Sequence, residues 1–441
     1  MPDLPDQIPA YTSQAEFSAA IDVAFSGLEM APLQQNLPRE QSISELRRKR
    51  GGIIRDDIGL LTLVVDQDGF LHWEEAAGIL PVRVKGRRGI WGANRKVVKQ
   101  VKVQKLGFSE VAKFLETFDH KLTPYWGLRR WDGTTLQPAE RPTGERPILL
   151  FVHGTFSKTE AIFEQLLKEP HGRDFLRKME RKYEILAFDH PTLSVSPMIN
   201  ALDLGRVLGN YPGPIDVICH SRGGLVTRWW LETFDSGKHG KRRAVLVGAP
   251  LDGTSLAAPD KLRHGIDLLT NLGHLLGEGM SLIPFLTVAG GLLKIVSSFG
   301  SLMAHTPAVD AAVAAVPGLA AMSRIGNNFE LQRLNTTIPG TIDPEYFAVA
   351  SNFAPTGQGW RFWRNFAKCK DQMAHIATDR LIFHADSDLV VDTESMFRLA
   401  GSVIIPDDPG RVWRFRDSQT VHHTNYFLQP ETLTFIAKTL G

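Results

Sequence analysis

The sequence predicts a doubly wound α/β fold on a mostly parallel sheet. Three observations carry it. Short apolar runs of strand length recur along the second part of the chain: Ile148 to His153, Ile185 to Asp189, Ile215 to His220, Ala244 to Gly248, Tyr346 to Ala350 and Val412 to Phe415. The runs are continuous rather than alternating, the pattern of strands covered on both faces. Stretches with helical spacing separate them, and strand–helix alternation places helices as crossovers between parallel strands.

The elements before this region read differently. Gln14 to Met30 is expected to be helical, because Phe17, Ile21 and Phe25 recur every four positions. Leu60 to Val65, the turn Gln67-Asp68-Gly69 and Phe70 to Trp73 read as a strand pair. A basic tract over residues 83–105 follows, with Arg83, Lys85, Arg87, Arg88, Arg95, Lys96, Lys99, Lys102 and Lys105, and no acid from Ala76 to Ser109. It fits the solvated face of a twisted β-ribbon, or a patch for anionic lipid headgroups or another polyanion. Leu136 to Arg146 has turn formers and no apolar periodicity, so it is the expected boundary. Residues 1–140 are thus read as a β-rich extension, and residues 147–441 as the main domain.

Within that domain a helix is expected from Ser157, a good N-cap, with Ile162, Leu166 and Leu167 on one face. Between the Ala244 and Tyr346 strands lies an insertion, about residues 257–324. It carries a helical stripe, Leu268, Leu269, Leu272, Leu275 and Leu276, then apolar tracts from Met280 to Ala304 and from Ala308 to Met322. Three readings are open for it: a helical subdomain with its own core, a lid that meets lipid, or a membrane span. Pro284 and Lys294 interrupt the best span candidate, and spanning needs roughly 20 apolar residues.

Composition narrows the function classes. The chain has 441 residues, 43% hydrophobic and 22% charged, as in ordinary globular proteins. A net charge of +2 gives no global attraction to nucleic acid. With only Cys219 and Cys369, a disulfide framework is not expected and a reducing compartment fits. Residues 1–10 lack the pattern of a secretory signal, so a cytoplasmic protein is expected. Neither a metal-ligand spacing, a phosphate loop nor a dinucleotide glycine run occurs, so no cofactor and no metal are expected.

The chemistry centres on Cys219-His220-Ser221-Arg222-Gly223-Gly224, at the end of the apolar strand Ile215-Asp216-Val217-Ile218 and the start of a helix. A serine on a sharp strand-to-helix turn is held exposed in strained backbone, and needs small neighbours two residues to either side. Gly223 meets that need; position 219 is Cys, small but not Gly. A serine hydroxyl also needs a base, a group that orients the base, and donors for an oxyanion.

The run His220-Ser221-Arg222-Gly223-Gly224-Leu225-Val226 resembles the nucleophile elbow of lipases and esterases of the α/β-hydrolase superfamily. The upstream Leu149-Leu150-Phe151-Val152-His153-Gly154-Thr155-Phe156 resembles their oxyanion loop. The likeness spans about Pro147 to Gly441 and is closest to lipase-like serine esterases. It implies an α/β-hydrolase fold with a lid-like insertion, and an oxyanion hole from the backbone N–H groups of Thr155 and Arg222. Ala385-Asp386-Ser387-Asp388-Leu389-Val390-Val391 resembles the family's acid segment, with Asp388 on the catalytic position; Asp386 and the more distant Asp379 stay open. Val421-His422-His423-Thr424-Asn425-Tyr426-Phe427 resembles the base loop, with the apolar pair Tyr426-Phe427 putting His423 in role and His422 as the alternative.

The implied activity is hydrolysis of carboxylic esters through an acyl-enzyme on Ser221, with an ester or lipid substrate. Membrane-surface contact through the insertion or the basic tract is possible under the same reading. Alternatives are a thioesterase, amidase or acyltransferase on the same residues, or a non-catalytic binding protein of this fold. His153 is read as a structural hydrogen-bonding residue, Asp189-His190 as structural or pocket-lining, and Trp229 and Trp230 as core. The His220 side chain is expected to point away from the site. The Arg222 guanidinium would pin the elbow or meet an anionic substrate.

Overall fold

The computed structural model describes residues 14–32, 58–65, 71–75, 96–209, 211–235, 240–257, 265–267, 269–271, 282–298, 314–324, 328–336, 344–354, 387–398 and 405–441. The chain divides into two compact units. One comprises Met1–Val111, Pro259–Ala312 and Gly357–Ile376; the other comprises Ala112–Ala258, Val313–Thr356 and Ala377–Gly441.

In the first unit β1 (Met30–Pro32), β2 (Ile58–Val65), β3 (Leu71–Glu75) and β4 (Lys96–Gln104) form an antiparallel sheet in the order β1-β4-β2-β3. The expected strand pair is present, with Val65 opposite Leu71 and Leu61 opposite Glu75. The helix Gln14–Ser26 stops short of Met30, which starts β1; Glu29 at φ 58 cannot continue a right-handed helix. Lys99 does not belong to a solvated face. It is buried, and its ammonium donates to Asp22 at 2.7 Å and to Ser18 Oγ at 2.9 Å, while Lys102 is exposed. Arg83, Lys85, Arg87, Arg88 and Arg95 lie outside the described residues.

The described helices of the insertion within this unit complete the N-terminal core rather than form one of their own. In the helix Leu282–Ser298, Leu286, Leu292, Leu293 and Val296 are buried. A Cβ added at Gly290 would come 2.7 Å from Phe25 Cε1, so this helix lies close against Gln14–Ser26. Phe25 in turn stacks on Trp73 at 5.5 Å. Pro284 opens the helix in its first turn, where its missing N–H costs nothing. Lys294 is buried yet satisfied, donating to the Leu28 carbonyl at 2.8 Å and pairing with Glu29 at 3.2 Å. Asp267 and Asn271 cover the free edge of β3: Asp267 accepts from the Trp73 N–H at 2.9 Å, and Asn271 accepts from the Leu71 N–H at 3.0 Å. Leu268, Leu272, Leu275 and Leu276 lie outside the described residues. Among the described residues no helix is long and apolar enough to cross a membrane.

The second unit is an α/β fold on an eight-stranded sheet in the order β12-β11-β10-β9-β7-β8-β5-β6. Its strands are β5 (Gly127–Trp131), β6 (Leu136–Pro138), β7 (Ile148–Val152), β8 (Glu184–Asp189), β9 (Ile215–His220), β10 (Arg242–Val247), β11 (Glu345–Phe353) and β12 (Val412–Ser418). β7 to β12 pair in parallel, as their unbroken apolar runs predict. β5 and β6 add antiparallel at one edge. The expected boundary at residues 136–146 therefore falls inside this unit. Arg129, Arg130 and Pro138 give these strands a linker's composition, but Leu128, Trp131 and Leu136 are buried.

The helix expected from Ser157 is Thr159–Lys168, and Ser157 does not cap it. The cap comes from the end of β8: Asp189 Oδ1 accepts from the Thr159 N–H at 2.7 Å and from its hydroxyl at 2.8 Å.

Candidate active site

Ser221 follows the last residue of β9 and precedes the helix Gly223–Trp229. Its φ of 54 lies in the left-handed region, a conformation that a residue with a side chain holds only at a cost of ~1–3 kcal/mol. The surroundings enforce it. The Ser221 N–H donates to the Val247 carbonyl at the end of β10, 2.9 Å away. A Cβ at Gly154 would lie 2.6 Å from Ser221 Cβ, and one at Gly223 would lie 2.6 Å from the carbonyl oxygens of Val152 and His153. Only glycines let the β7 loop come this close to the turn. Cys219 is accommodated as a small buried residue; burial pushes its thiol up to about 12, so it stays protonated.

Asp388 sits in a tight turn beyond β11. The turn is closed by the bridge between Ser387 and Asp392 and by Leu389 at φ 92, and tied to the strand end by the Phe353 N–H on the Ser387 carbonyl, 2.8 Å. Asp388 is fully buried. Its Oδ1 accepts from the N–H groups of Val390 at 3.1 Å and Val391 at 2.9 Å. Its Oδ2 accepts from His423 Nδ1 at 2.7 Å and from the Tyr426 hydroxyl at 2.8 Å. Burial alone would raise this carboxyl, but the charge and hydrogen bond of His423, the Val391 amide and Tyr426 outweigh it and hold it below the usual carboxylate range. An ionised carboxylate only accepts, so Nδ1 of His423 carries the proton and Nε2 has the free lone pair.

Both groups lie against Gly248, just beyond the C-terminal end of β10. A Cβ at Gly248, the residue after β10, would lie 3.2 Å from Asp388 Oδ2 and 3.4 Å from His423 Nδ1, and Gly248 takes φ 58. β10 is also the strand whose Val247 holds the Ser221 amide. The His220 ring, expected to point away, lies 4.7 Å from the His423 ring and donates from Nε2 to the His423 carbonyl at 2.8 Å. It ties the turn at Ser221 to the loop that carries His423, a tertiary contact with no sequence signal. Burial pushes His220 down to about 3, so it is neutral and a fixed donor.

The other candidates fall as follows. The His422 Nδ1 instead lies 3.1 Å from Thr424 Oγ1, its ring meets Phe353 edge-on, and burial pushes it down to about 4. Asp386 and Asp379 lie outside the described residues. His153 is fully buried between the Gly154 carbonyl at 2.9 Å and the His190 N–H at 3.1 Å, a hydrogen-bonding role with burial lowering its basicity. Thr155, at the end of the β7 loop, meets Met322 Sδ through its hydroxyl at 3.3 Å. Among the described residues neither the Thr155 nor the Arg222 amide N–H has a hydrogen-bond acceptor. The Arg222 guanidinium is fully buried and points to the Val195 carbonyl and to His190 Nδ1, 3.4 Å away. It therefore braces the loop after β8. Asp119, which sequence reasoning passed over, holds that loop from the other side, accepting from the N–H groups of Thr192 at 2.8 Å, Leu193 at 3.0 Å and Ser194 at 2.7 Å.

Residues 120–441 match the family described as "Domain of unknown function (DUF7379)". No curated protein matches the sequence. Among solved structures the chain is similar to the lipase BlEst2 of Bacillus licheniformis in its propeptide form, at 14% identity and a TM-score of 0.38, covering 72% of this chain and 53% of that one, about half its length. It is similar to lipase 1 from Pelosinus fermentans at 14% identity and a TM-score of 0.41, covering 67% of this chain and 98% of that one. A metagenomic carboxyl esterase, MGS0156, is similar at 12% identity and a TM-score of 0.33, with 75% and 91% covered.

Proposed function

The chain belongs to the DUF7379 family, whose function its description leaves open, and from its own residues we propose that it is a serine hydrolase of carboxylic esters. The observation that carries the reading is the buried Asp388 Oδ2–His423 Nδ1 contact of 2.7 Å, beyond the C-terminal ends of the central strands, where Ser221 sits in a positive-φ turn after β9.

In this reading Ser221 Oγ attacks the acyl carbonyl and His423 Nε2 takes its proton. Asp388 keeps the imidazole in the Nδ1–H form and stabilises the imidazolium that develops. The backbone N–H groups of Thr155 and Arg222 stabilise the oxyanion. The imidazolium then protonates the leaving alcohol, and water attacks the acyl-enzyme with the same imidazole as base.

A panel of p-nitrophenyl esters, thioesters and anilides tests the proposal, with wild type beside Ser221→Ala. Ester turnover is expected to fall by at least about 10³-fold in Ser221→Ala. Turnover of amides alone would reject the ester assignment, and turnover unchanged in Ser221→Ala would reject the nucleophile.

A further inference from the structure

Tyr426 entered the sequence reading only as half of an apolar pair. In the structure its side chain is fully buried, and its hydroxyl lies 2.8 Å from Asp388 Oδ2, the same oxygen that accepts from His423 Nδ1. The carboxylate has no proton to give, so the phenol donates. Met396 Sδ, at 3.6 Å, is a far weaker acceptor. The ring packs close to the Gly248 backbone, where a Cβ would come 2.9 Å from Cε2.

We propose that Tyr426 is a positioning residue for His423: by sharing Asp388 Oδ2 it fixes the carboxylate's orientation and limits how much of its charge the imidazole receives. The proposal rests on the reading of Ser221, Asp388 and His423 given above. Two donors on one oxygen divide its lone pairs and its charge. Removing one leaves the other with a stronger acceptor but a less constrained one. Burial, then the charge of Asp388, raises the Tyr426 hydroxyl well above its ordinary value, so it remains a donor. The other groups facing this pair are His220 from β9 and His422 from the base loop, which burial pushes down to about 3 and about 4. Above those values Asp388 is the charged partner that His423 feels.

The test uses the full chain with ¹⁵N-labelled histidine rings. The His423 ring is titrated by NMR in wild type, in Tyr426→Phe, and with 3-fluorotyrosine replacing Tyr426. Loss of the hydroxyl is expected to move the His423 midpoint up by roughly half to one pH unit. It should also lower kcat on a p-nitrophenyl ester about tenfold, with KM unchanged, through looser orientation. The fluorinated ring, a stronger donor, is expected to move the midpoint down; it carries the test if Tyr426→Phe does not fold. A tyrosine that merely fills space would change stability and leave the midpoint in place. An unchanged midpoint in either folded variant, or a shift of opposite sign, overturns the proposal. The titration needs no turnover. Failure of Ser221 to react with a fluorophosphonate would therefore sink the hydrolase reading separately from this one.

Discussion

Asp388 accepts two backbone N–H groups on one oxygen and two side-chain donors on the other. Such a carboxylate is held ionised and in one plane, which an orienting acid requires. Asp388→Asn keeps the shape but turns an N–H toward His423 Nδ1 and favours the wrong tautomer. Ester turnover is predicted to fall by about 10³–10⁴-fold in kcat, with the fold retained by circular dichroism. Gly154→Ala makes a different prediction. Its Cβ would stand 2.6 Å from Ser221 Cβ, so the β7 loop must retreat. The variant should lose both activity and about 1–3 kcal/mol of stability, read by chemical denaturation. Ser221 and Gly223 were legible in the sequence because their demands are local: a strand end, a sharp turn, a small neighbour. Tyr426, His220 and Asp119 were not, because each acts through a partner dozens of residues away or more.

At the scale of elements, the loop after β8 is held by the buried Asp119 carboxylate, which takes the amides of Thr192, Leu193 and Ser194 and the hydroxyl of Ser194. Arg222, next to Ser221, grips the same loop at Val195. Asp119→Ala would leave those buried amides without an acceptor. A loss of about 2–4 kcal/mol is expected in chemical denaturation, together with reduced ester turnover; a loss under half a kcal/mol would contradict this clamp. The parallel strands were readable because burial on both faces writes a continuous apolar run. The edge strands β5 and β6 were not, since each buries only one or two residues and reads as linker. The helix after β7 was found, but Ser157 was expected to cap it, because Asp189 reaches its first turn from another strand. The insertion's apolarity was plain, yet periodicity names a buried face and not the element that covers it.

For the molecule as a whole, the histidines around the site set a pH dependence. Burial lowers His153 and His190 and pushes His220 to about 3 and His422 to about 4. Each is harder to protonate in the folded state, while its unfolded counterpart takes a proton below about pH 6.5. Their contribution is therefore fully present above that value and is lost as pH falls below it, with a slope of up to about 1.4 kcal/mol per pH unit for each group. Hydrogen exchange of the β7 to β9 amides is predicted to show protection falling steadily from pH 7 to pH 5; protection independent of pH, once the intrinsic rate is corrected, would contradict it. If the ends of the central strands present an activated serine, a fluorophosphonate will find it, and peptide mass spectrometry will locate the adduct. A single stoichiometric adduct is expected on Ser221, lost on acid unfolding before treatment. An adduct on another residue, or none on the folded protein, would contradict it.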